Sequence, residues 1–154
     1  MNEQLTIEVE IYDKKHFVEV TGLVAISEDT INKDICNQAG LYAFYAQAAA
    51  DVRNKRDMAS QALKDIRCIA DIEIRKRVEG TGAKSTEAKI SAEVELDSKV
   101  VKYKDKVINL EGNLGKLDAI LRALEHRKDM LVTLGANMRT DVEKGNMSGI
   151  NKRV

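Results

Sequence analysis

Eight basic side chains fall within residues 53–77, namely Arg53, Lys55, Arg56, Lys64, Arg67, Arg75, Lys76 and Arg77, against four acidic ones, a local net of +4. On an ideal helix, residues eleven apart differ by about 20° in direction, so Arg53, Lys64 and Arg75 share one stripe and Arg56 and Arg67 flank it. Such a stripe can track a sugar-phosphate backbone, and guanidinium groups bond phosphate through two donors at once. Arg75, Lys76 and Arg77 fan over most of a helix circumference. They adjoin the glycine-containing loop Gly80-Thr81-Gly82-Ala83-Lys84, whose Lys84 could help hold a strand. The same cations also have a structural use: they can pair with Asp57, Asp65, Asp71 and Glu73 on their own helix or on a packed one.

Other chemistry finds little to work with. His16 and His126 are far apart in sequence, and His126 lies in Leu-Glu-His-Arg-Lys, which reads as a solvated charged face. Cys36 and Cys68 match no metal spacing and read as buried free thiols in a reducing compartment. There is no glycine-rich phosphate loop, zinc spacing or nucleophile elbow, so neither an enzyme nor a cofactor or metal is expected. Leu41-Tyr42-Ala43-Phe44-Tyr45 could stack bases, but its place on an apolar seam favours packing. Gly112 and Gly115, inside a helix, suggest close helix approach.

The elements that must position the basic stripe follow from pattern and composition. The chain has 154 residues, no Pro and only six aromatics, with 32% charged side chains, which predicts long helices packed by aliphatic stripes. Leu5, Ile7, Val9 and Ile11 alternate with polar residues, and after a break at Asp13-Lys14-Lys15 come Phe17, Val18 and Val20. This predicts a small N-terminal β-hairpin in an extension, residues 1–28. Ser27-Glu28-Asp29-Thr30 offers caps for a helix over about 31–79, with a candidate break at Gly40. Its seam comprises Ile35, Tyr42, Ala49, Leu63 and Ala70, accompanied by Tyr45, Val52, Ala59 and Ile66. Ser85 or Thr86 caps a second helical region, and Asp97 a third. There Leu96, Tyr103, Leu110, Leu117, Leu124, Leu131 and Met138 recur every seven residues, with Val100, Val107, Leu114 and Leu121 between them. Lys128 and Gly135 break this register. Residues 143–154 lack a period and read as a flexible tail.

The expected fold is therefore mainly all-α: an elongated protein with two long antiparallel helices and coiled-coil-like packing, its helical domain covering 29–142. Such a stripe favours homo-oligomerisation, because left exposed it would aggregate. Whole-chain charge is zero, since residues 1–34 carry eight acidic and three basic side chains that offset the basic segment. No apolar run spans a bilayer and no signal-peptide pattern is present, so no membrane association is expected.

The order of Asp29-Thr30, Leu41-Tyr42, Ile74-Arg75-Lys76-Arg77-Val78, a glycine-containing loop, Ser85-Thr86-Glu87-Ala88-Lys89 and a Leu-rich helix closing on Arg127-Lys128-Asp129-Met130-Leu131 and Arg139 resembles the UvsY-type recombination mediators of tailed phages. The likeness covers roughly residues 29–142; residues 1–28 extend beyond it. It implies an all-helical homo-oligomeric ring, hexameric or heptameric, that binds single-stranded DNA. Such a ring helps a RecA-like recombinase replace the single-strand-binding protein, in the host cytoplasm if phage-encoded. Carried over by position, the family's strand-binding segment corresponds to Arg75 and Arg77, with Lys76 added. Its self-association region corresponds to Leu110, Leu114, Leu117, Leu121, Leu124, Leu131 and Met138. A coiled-coil structural or adaptor protein that binds no DNA is the competing reading, and it explains the Leu seam equally well.

Overall fold

A computed structural model describes residues 5–82 and 85–150. The order is a hairpin of β1 (Thr6–Ile11) and β2 (Lys14–Glu19), a short α1 (Val20–Val24), a 3-10 turn, then α2 (Ile31–Thr81), α3 (Glu87–Glu95) and α4 (Ser98–Ile150). The chain divides into two compact units, Met1–Ala48 with Lys116–Val154, and Ala49–Gly115. As expected, it is mainly helical, with two long helices packed together and an N-terminal hairpin.

The first unit holds the hairpin. β1 and β2 pair antiparallel, Ile7 opposite Val18 and Ile11 opposite Lys14. The turn is Tyr12-Asp13, both at positive φ, one residue earlier than the polar run suggested. Two consecutive left-handed residues match the right-handed strand twist, which is why this loop needs only two residues. Alternation puts Val9 and Ile11 inside, with Val18 and Val20, and leaves Phe17 exposed. Val20, read with the hairpin, is buried but begins α1. The start of α2 lies antiparallel to α4, so that Asp34 meets Arg127 and Tyr42 meets Glu125.

Here the buried lines differ from the expected heptads. On α2 the line through Tyr45, Val52 and Ala59 extends back through Gln38 and Ile31, leaving Ile35 exposed and Tyr42 at the rim. A polar residue at position 38 concealed that register. On α4 the line takes in Leu117, Ile120, Leu124, Arg127 and Leu131, with Leu121 half-buried. α4 contacts both α2 and the segment at Ala25, and two neighbours bury a wider arc than a two-stranded seam.

In the second unit, Leu63, Ala70 and Ile74 of α2 form a core with Ile90 and Val94 of α3 and Val100 of α4, flanked by Ile66, Val78, Tyr103 and Val107. α2 is unbroken at Gly40 and ends at Gly82, whose positive φ suits a helix stop. The Thr86 side chain caps α3, and Asp97 Oδ1 caps α4 by accepting from the Lys99 and Val100 amides at 2.8 and 3.2 Å. Leu96, expected on the seam, is instead the exposed C-cap residue of α3.

Two further expectations are corrected. Cys36 and Cys68 are free thiols but exposed. Each lies five residues after a buried one, Ile31 or Leu63, hence about 140° around α2 from the core. Gly112 and Gly115 face open space, with nothing within 4 Å of an added Cβ, so no close helix approach explains them. Of residues 143–154, read as a tail, α4 covers the part up to Ile150, and 151–154 lie outside the described residues.

Candidate nucleic-acid interface

Because α2 is unbroken, the eleven-residue spacing of Arg53, Lys64 and Arg75 is preserved along one face. Val52, Leu63 and Ile74, each one residue earlier, are buried. The basic stripe therefore runs about 100° around the helix from the core line, where stems rest on the protein and heads reach outward. Arg56 and Arg67 follow Val52 and Leu63 by four residues, about 40° from the core, and are half-buried for that reason. Lys76, two residues past Ile74, points away from the core. Among the described residues, Lys64 and Lys76 stand exposed without an ion pair. Arg53 is exposed and engaged in an interaction of its own. Lys84 lies outside the described residues.

The arginines nearest α3 are engaged by it. Arg75 holds Glu87 in a two-pronged pair, Nη1 to Oε1 at 2.8 Å and Nη2 to Oε2 at 2.7 Å, while its Nε donates to Asp71 at 2.8 Å. Arg77 Nη2 donates to Glu93 at 2.5 Å. Arg67 Nη2 donates to Glu95 at 3.1 Å, and Lys104 reaches the same carboxylate at 3.4 Å. Every glutamate of α3 thus meets an arginine of α2. Of the acidic partners expected on α2 itself, Asp71 serves Arg75 and Asp57 lies 2.7 Å from Arg56, whereas Asp65 bonds Gln61. Hydrogen bonds to Glu87 first, then Asp71, hold the Arg75 guanidinium more firmly protonated than usual. Reciprocally, Arg75 lowers the Glu87 pKa, and Arg67, with a smaller share from Lys104, lowers that of Glu95.

The proposed oligomerisation residues divide. Leu114, Leu117, Leu124 and Leu131 are buried within their own chain, Leu110 and Leu121 are half-buried, and Met138 is exposed. Met130, Val132 and Val142 of α4 are exposed as well. In the aromatic cluster Tyr45 is buried, edge-on to the exposed Phe44 at 5.2 Å between centroids.

A polar node in the first unit went unread. Arg127 is only 4% exposed, and it donates to Gln38 Oε1 at 2.6 Å, Asp34 Oδ1 at 2.9 Å and the Ala25 carbonyl at 3.4 Å. Gln38 Nε2 in turn donates to the Leu124 carbonyl at 2.6 Å. The signal was available: Arg127 follows Leu124 by three residues and precedes Leu131 by four, the spacing of a buried face.

The chain matches no protein-family model, no curated protein and no solved structure. No described helix is long and apolar enough to cross a membrane.

Proposed function

We propose that this protein is a non-enzymatic, homo-oligomeric single-stranded DNA-binding mediator of the UvsY type, which helps a RecA-like recombinase displace single-strand-binding protein. The observation that carries this reading is the line of Arg53, Lys64 and Arg75 along an unbroken α2, with Lys76 and Arg77 exposed beside it. The test is fluorescence anisotropy of a labelled single-stranded oligonucleotide at stepped salt, with light scattering on the same samples. Log affinity should fall with log salt by about 0.7 per neutralised phosphate. Changing Arg75 and Arg77 together to Ala should weaken binding on the order of tenfold or more with assembly size unchanged. Salt-independent or absent binding would remove the proposal.

The competing reading, a helical adaptor or scaffold that binds no DNA, has its own support: Arg67, Arg75 and Arg77 are all paired to carboxylates of α3. A pull-down that retains a stable protein partner, with no retention of single-stranded oligonucleotide, would favour it.

A further inference from the structure

The nine residues of α3 bring Glu87, Glu93 and Glu95 to the three arginines of α2 that lie within their reach. The carboxylates flank a narrow apolar line of two residues, Ile90 and Val94, which dock on Leu63, Ala70 and Ile74. These ion pairs are solvent-accessible: the side chains of Arg67, Arg75 and Arg77 remain 38%, 41% and 64% exposed. Accessible pairs are worth little and exchange readily for other anions. A helix of this length does not persist alone in water, so α3 depends on its contacts with α2 and α4.

Resting on the reading above, we propose that α3 is a displaceable acidic strap on the α2 stripe, and that single-stranded DNA binds by exchanging its phosphates for the carboxylates of Glu87, Glu93 and Glu95, loosening α3 as it does so. A carboxylate and a phosphate present the same paired oxygens to a guanidinium, so the two-pronged Arg75–Glu87 pair is a template for the Arg75–phosphate pair that replaces it. Lys64 and Lys76 give the strand a first hold before any internal pair opens. The strap keeps three arginines occupied when no strand is present, so only a polyanion with closely spaced charges opens the site.

The experiment uses the full chain and labelled oligothymidylate. The variant Glu87→Gln/Glu93→Gln/Glu95→Gln should bind about tenfold tighter than the unaltered protein, the scale of three accessible ion pairs that no longer have to be broken. A charge-matched control, Asp29→Asn/Asp105→Asn/Glu111→Gln, removes three exposed carboxylates elsewhere and should change affinity much less. Hydrogen exchange on the unaltered protein supplies a readout that needs no substitution: the amides of residues 90–95 should exchange faster when the oligonucleotide is bound. Equal tightening by the control would reduce the effect to overall charge and overturn the strap. Unchanged or slower exchange in α3 on a protein that does bind would overturn it too, with strand binding itself intact. If neither the unaltered protein nor the α3 variant binds, the function proposed above fails and the strap with it.

Discussion

Arg127→Met tests how the first unit is held together. Methionine keeps most of the volume and all of the apolar stem, so the loss isolates the guanidinium. Three acceptors lose a donor: Gln38 Oε1, Asp34 Oδ1 and the Ala25 carbonyl. Breaking a buried ion pair from one side costs about 3–5 kcal/mol when the partner charge is stranded. Here the cost is lower, because the Asp34 side chain is 19% exposed and still accepts from Thr30 Oγ1 at 2.8 Å. Gln38 also keeps its bond to the Leu124 carbonyl. The expected destabilisation is therefore about 2–4 kcal/mol. Adding Asp34→Asn removes the stranded charge, so the double variant should recover part of the loss, with a coupling of about 1–3 kcal/mol. The assay is urea unfolding followed by far-ultraviolet circular dichroism at one protomer concentration, since association would otherwise shift the midpoint. A cost below about 1 kcal/mol with no coupling would refute the account, and would mean that apolar packing around Leu117, Ile120 and Leu124 alone fixes the helix pair.

Two further outcomes follow from the second unit and from α4. Glu87 and Glu95 have folded pKa values below the ordinary 4.5, so the stability they add is present above that value and lost as pH falls through the folded one. The gap in urea midpoint between the unaltered protein and Glu87→Gln/Glu95→Gln should therefore be constant at neutral pH and narrow progressively as the pH falls below about 4.5; a gap that does not narrow on acidification would contradict the pairing. Gly115→Ala, in an exposed helix interior with open space around its Cβ position, should stabilise by about 0.5–1 kcal/mol. Destabilisation there would instead reveal a surface that packs closely on another molecule.

The hairpin, the three helical stretches, the Gly82 stop and the Thr86 and Asp97 caps were all legible in the sequence, because each rests on local chemistry within a few residues. The registers were less so. Arg127 has the spacing of a buried face, but it meets the Ala25 carbonyl of a segment more than 100 residues earlier, and no local period encodes that acceptor. Gln38 hid the α2 register for a related reason: a polar side chain reads as surface until the buried donor and acceptor that satisfy it are known. The basic stripe was visible as a pattern, and its spacing survives because α2 is continuous. Its partners were expected on the same helix or on a packed one, and most of them come from α3, a choice that depends on tertiary packing and not on local spacing.

Those partners bear on what the stripe can do alone. A single subunit offers Lys64 and Lys76 without ion pairs among the described residues, and arginines whose pairs must open one by one, so its hold on a strand should be weak. Several linked copies change the arithmetic, because each contact after the first is made at high effective concentration and the total can exceed the single-site affinity by orders of magnitude. A strap that weakens every subunit alike therefore sharpens the difference between one copy and an assembly. Intramolecular neutralisation and strand binding are in that sense compatible uses of the same arginines. On the reading proposed above, Glu87, Glu93 and Glu95 of α3 would set a threshold that only an assembled protein on a continuous strand would cross.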